Sequence, residues 1–127
     1  MGTWGAGNTE NDTALDIVGE KSDALIKSVI DALNTKESTE ADEFAYGLMF
    51  LEMEMIFALD AHKLFNGWSL PGTDAFDDAV ARWLPLWADY FDGLAGPEFK
   101  AERRAVIEET FAKFRTIIAT YETRRNG

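Results

Sequence analysis

Few residues in this chain could do chemistry. There is one histidine, His62, and there is no cysteine. Lack of cysteine removes disulfide frameworks, thiolate metal sites and thiol nucleophiles together. A serine-hydrolase triad would depend on His62, and the Gly-x-Ser-x-Gly turn that presents such a serine is missing. Zinc sites draw on several His or Cys ligands, and a single imidazole cannot supply them. Asp60 and His62 are two positions apart on a helix, so they do not face each other as a ligand pair. The carboxylate-bridged metal sites of helical bundles use Glu-x-x-His, which is also missing. The expectation is no metal and no other cofactor. The glycine-rich opening precedes a helical stretch, where a phosphate cradle would sit. Neither the P-loop nor the dinucleotide glycine pattern matches, and Glu10 and Asp12 would repel an anion there. A structural turn is the expectation.

One carboxylate stands apart. At about 100° per residue, Glu52 falls among Leu48, Met49, Met55, Ile56 and Leu59 on a helical wheel. A carboxylate on a buried face must find partners or take up a proton. A Trp indole N–H, Arg82, Arg103 or a backbone N–H near the N-terminal loop is available. The expected role is a polar clamp on that loop or on a neighbouring helix; the alternatives are a general acid or base or a metal ligand in a pocket, or simple exposure. Glu54 falls on the most polar stripe and is expected in solvent. Of the four tryptophans, Trp68 lies in a loop and is expected to be exposed, marking a contact surface.

The elements that must position these groups are helices. A chain of 127 residues makes one domain, here 1–127, large enough to bury one core. Residues 1–8 read as a Gly/Trp loop. Thr9-Glu10-Asn11-Asp12 has capping-box spacing, and a first helix follows to about residue 34, bent or split near Gly19. Thr39 to Asp42 repeats the spacing. From Phe44 to Phe65 the chain is apolar on nearly every side, which predicts a buried central helix ended by Asn66-Gly67. Thr73 is placed to cap a third helix, kinked or split at Pro85. Pro97 suits the first position of a C-terminal helix over 97–127. No strand-like alternation occurs, so the fold class is an all-α, single-domain bundle of four main helices.

The charge is uneven. The chain carries 12 Lys+Arg against 23 Asp+Glu, a net of −11. Residues 1–96 hold 18 acids and 5 bases, residues 97–127 hold 5 acids and 7 bases. A basic last helix is therefore expected to lie across an acidic bundle. Such a balance argues against nucleic acid and anionic lipid as partners, which need clustered Lys/Arg, and favours a basic protein partner. No apolar run of about 18 residues exists to span a membrane. The opening has no basic n-region, so no signal peptide is expected and a cytoplasmic location is.

The opening Met1-Gly2-Thr3-Trp4-Gly5-Ala6-Gly7 resembles that of the bacterial family catalogued as domain of unknown function 4259. Its members start Met-Gly-x-Trp-Gly-x-Gly, then pass an Asn/Asp-rich step into Ala-Leu-Asp, here Asn11 to Asp16. Glu40-Ala41-Asp42-Glu43 with Glu52 nine residues later is similar too. The resemblance implies a small, soluble, mostly helical bacterial protein with no assigned activity. It also marks Trp4, Asp12, Asp16 and Glu52, and the expectation is that the N-terminal loop folds back with Trp4 near Glu52, as a clamp or a small pocket. For function, the leading expectation is a non-catalytic, immunity-like or partner-occupying module. The alternative is a small-molecule-binding protein or enzyme using a pocket around Glu52. A homodimer through exposed aromatics is the third.

Overall fold

The structure, a computed structural model, describes Thr3 and residues 5–126. Trp4 lies outside the described residues, and so does its expected packing on Glu52. Among the described residues the chain forms α1 (Asp12–Leu33), a 3₁₀ turn (Lys36–Thr39), α2 (Phe44–Ala61), α3 (Thr73–Phe91) and α4 (Pro97–Asn126). Thr3 and Asn11 make an isolated antiparallel bridge, and no strand is found among the described residues. The all-α, four-helix expectation therefore holds.

Local chemistry sets the helix ends, not always where the spacing placed them. Asn11 rather than Thr9 caps α1, its side chain accepting from the Ala14 N–H at 2.7 Å. An Asx side chain satisfies such an orphan donor well. α1 runs through Gly19 without a break, so the first helix is not split. Thr39 belongs to the 3₁₀ turn, and α2 starts after Glu43, whose side chain makes no cap. α2 stops at Ala61, before Asn66-Gly67. Lys63 takes a left-handed backbone with φ 59°. The Leu64 N–H then reaches the Leu59 carbonyl at 2.8 Å and the Lys63 N–H reaches Asp60 at 3.0 Å. This pair of bonds is the Schellman closure, with Lys63 where glycine is usual. α3 starts after Gly72, and its cap comes from another helix: the Glu122 carboxylate accepts from the Thr73 hydroxyl at 2.7 Å and its N–H at 3.3 Å. α3 continues through Pro85, which is exposed, so the third helix is not split. Pro97 opens α4 as expected.

Around the bundle the order is α1, α2, α4, α3, with α2 and α3 diagonally opposed. Tyr46 meets Arg103 and Phe57 meets Phe114, so α2 and α4 run parallel; Phe76 meets Phe114 and Phe91 meets Phe99, so α3 runs antiparallel to α4. The segment 62–72 therefore crosses beneath the core. It is tied there by Ser22 accepting from the Asn66 N–H (2.9 Å), Tyr121 donating to the Phe65 carbonyl (3.1 Å) and Arg125 donating to the Leu70 carbonyl (2.9 Å). At the other end the 3₁₀ turn closes the core, with Ser38 and Thr39 buried. Ser38 accepts from the Trp83 indole at 3.0 Å, which keeps that buried N–H satisfied.

Aromatic rings fill the interior. Trp83 lies between Tyr46 and Trp87, edge-on to Phe50 and Phe111. Each such side chain, fully buried, contributes about 1.5–3 kcal/mol. α2 differs from expectation. It is one corner of the ring, not a rod enclosed by the other three. Tyr46, Met49, Phe50, Met53 and Ile56 point inward, while Phe44, Leu51 and Met55 face solvent. In a ring of four helices each corner touches only two neighbours, so one face of every helix stays outside. α4 does bring cations to the acidic body: Arg115 forms a two-pronged pair with Asp77 (2.8 and 3.0 Å), and Lys100 pairs with Asp92.

Candidate functional site

Glu52 is half-buried on the α1 side of α2. Its carboxylate accepts a hydrogen bond from the Ser28 hydroxyl of α1. The cations named for it go elsewhere. Arg103 donates to the Tyr46 hydroxyl (2.5 Å) and lies over the Tyr46 and Phe50 rings, while Arg82 donates to Asn34 (3.1 Å). The Trp83 indole goes to Ser38. Glu54 is in solvent. Asp12 and Asp16 are exposed on the first turns of α1. Ser28 lies sixteen and twelve residues further along α1, or about 24 and 18 Å at 1.5 Å per residue. The structure thus does not bring Asp12 and Asp16 to Glu52. At the opening loop, the Glu10 carboxylate fills the space beside Gly5 and Gly7, where a Cβ would collide with it. An own carboxylate thus occupies the place a phosphate cradle would offer.

Among the described residues, the open surface clefts include four of about 240 to 550 Å³. One of about 550 Å³ lies at the α3–α4 corner between Asp92, Lys100 and Arg104. Glu52 lines none of the four. Among the described residues no group of three or more His, Asp or Glu side chains is placed to hold a metal ion. His62 is exposed just past α2. The buried Trp87 indole N–H has no acceptor among the described residues; it stacks on Trp83 and packs against Phe91, deep in the core rather than in a cleft.

The surface feature that sequence reasoning missed is the outward face of α2. Phe44 is 80% exposed, Leu51 59% and Met55 46%. They recur at spacings of seven and four, which puts them on one stripe of the helix. Gly47 and Ala58 extend the stripe and are also exposed. A Cβ on Gly47 would meet nothing within 4 Å, so the surface there is open. The signal was in the sequence: a helix apolar on nearly every side has more apolar surface than a corner of a bundle can bury. Trp68 is 53% exposed as expected, but its ring packs edge-on against Tyr121 and its carbonyl accepts from Arg125 (3.2 Å), so part of it serves the fold.

Carboxylates border the stripe. Between Lys36 and Lys63 there is no Lys or Arg, and there are seven acids: Glu37, Glu40, Asp42, Glu43, Glu52, Glu54 and Asp60. Among the described residues none of the seven is in an ion pair. At the start of α2, Asp42 accepts from the Tyr90 hydroxyl of α3. That bond, burial and the charges of Asp42, Glu40 and Glu43 push the Tyr90 phenol up to about 12. The bond to Asp42 is the largest of these causes. Among the described residues no helix is long and apolar enough to cross a membrane. Comparison with protein families, curated proteins and solved structures finds no match for this chain.

Proposed function

We propose that this protein is a non-catalytic, cytoplasmic protein-interaction module that works by occupying a partner, as immunity-like proteins do. The observation that carries this reading is the exposed apolar stripe of α2. Large apolar side chains left together in water, with a polar rim, are the usual mark of a protein contact surface. They have no evident structural duty here, since the core is filled by the opposite face of the same helix. Membership in the family catalogued as domain of unknown function 4259 is proposed with it, on the opening motif and the Glu40–Glu52 stretch. The pocket-based alternative has less support, because the Glu52 carboxylate is engaged by Ser28.

The test is photo-crosslinking in native cells from a reactive residue at position 51, with position 86 on exposed α3 as the control. The expected result is one discrete adduct with an identified protein from position 51, competed away by unlabelled wild type, and none from position 86. No adduct from positions 44, 51 or 55 above the level at 86 contradicts the reading.

A further inference from the structure

We infer that the outward face of α2 is a docking surface for a cationic amphipathic helix of a partner protein. The inference rests on the proposed interaction role and adds the chemistry of the partner. A helix laid along another buries an apolar stripe of its own, at i, i+3, i+4 and i+7, against the facing one. Phe44, Leu51 and Met55 span 12 residues, about 17 Å of helix, which matches three turns of a partner. Gly47, with open space where a Cβ would be, leaves room for a large partner side chain between Phe44 and Leu51.

The charges around the stripe select the sign of that helix. Glu40, Asp42 and Glu43 stand before its first turn, Glu54 flanks it toward α4, and Asp60 closes its far end. None has an ion-pair partner among the described residues, so a partner cation would meet an unspent charge. Asp42 is held in place by a neutral donor, Tyr90, which orients the carboxylate without cancelling it. Lys63, two residues beyond Ala61, is the nearest basic residue in sequence at that end. Complementary charge of this kind raises association rate and rejects wrong partners. A second copy of this chain fits poorly, because it would set these five carboxylates against five and bring together two chains of net charge −11 each. An acidic or neutral helix would gain the apolar contact but lose the electrostatic part.

The experiment uses the full-length protein and fluorescein-labelled synthetic peptides of eighteen or so residues: an amphipathic Leu/Lys helix, its Leu/Glu counterpart, and a scrambled Leu/Lys peptide of equal charge. The expected result in fluorescence anisotropy is saturable binding of the Leu/Lys helix, with the other two weaker by about tenfold or more. Leu51→Asp and Met55→Ser each weaken it by at least about fivefold with unchanged circular dichroism, because both side chains are exposed and not part of the core. Leu86→Asp, on α3, leaves it unchanged. Glu43→Gln with Glu54→Gln flattens the fall of affinity with added salt. Equal binding of the scrambled peptide, equal binding of the Leu/Glu helix, or an effect of Leu86→Asp as large as that of Leu51→Asp overturns the inference. So does a wild-type dimer in analytical ultracentrifugation that Leu51→Asp dissociates, since the occupant is then a second copy. A crosslinked partner at position 51 that is acidic or neutral sinks this inference but leaves the interaction role standing; absence of any adduct sinks that role itself.

Discussion

Two glycines and a tyrosine show how finely single positions are set. Gly67 is buried within the crossing segment, and a Cβ there would come within 2.7 Å of Leu70 and of the Tyr121 ring. Gly67→Ala should therefore destabilise the fold by about 1–3 kcal/mol through overpacking. Gly47 sits on exposed helix with nothing to strike, so Gly47→Ala should stabilise by about 0.5–1 kcal/mol. Urea unfolding checks both, and two changes of the same sign contradict the placement. The Tyr90 phenol is a second probe. Its raised value means that the bond to Asp42 supports the fold fully below the ordinary tyrosine range, and that this support fades as pH rises towards about 12. The difference in ultraviolet titration between wild type and Tyr90→Phe should have its midpoint near 12; a midpoint near the ordinary value of about 10 contradicts the bond. At this scale Glu52 was legible as a residue needing a partner. That partner was not, because Ser28 is 24 positions upstream and one serine looks like another until two helices are packed.

Helices were legible because apolar residues recur at helical spacing, and Pro97 marked a start correctly. Several ends were not, for a physical reason: the groups that settle them come from outside the local sequence or break a local preference. α3 is capped by Glu122, 49 residues away, and α2 is closed by a lysine in a left-handed conformation. Glu122→Ala removes the acceptor for both the Thr73 hydroxyl and N–H, and should cost about 0.5–2 kcal/mol. The loss should show first as faster amide exchange in the opening turn of α3. Exchange unchanged from wild type there means that the cap does not hold α3. Arg115 and Asp77 tie the same two helices on their exposed sides, and the guanidinium holds the Asp77 carboxyl below the ordinary range. That contribution is present above the usual carboxylate range and is lost as pH falls through the lowered value; solvent keeps it small.

For the whole molecule, the excess of carboxylates works against compactness. Like charges on one surface repel, and added salt screens them within about 10 Å at 0.1 M. Five ion pairs among the described residues, exposed except for the half-buried Lys100 side chain, offset little of this. The melting temperature should rise as salt increases; a fall would mean that the ion pairs outweigh the repulsion. Arrangement is also where sequence reasoning failed most plainly. An apolar circumference on α2 reads as burial, and the ring α1, α2, α4, α3 gives it a corner instead. The surplus apolar face is then left for contact with something else, with the carboxylates of Glu43, Glu54 and Asp60 beside it in sequence. The most direct measurement is a titration of isotopically labelled protein with the Leu/Lys helix, followed by backbone amide shifts. The account predicts perturbed amides confined to the stretch from Glu43 to Ala58 and the residues of Glu40 to Asp42 beside it. Shifts centred on α1, on Trp68 or on the α3–α4 clefts, with α2 silent, would contradict it.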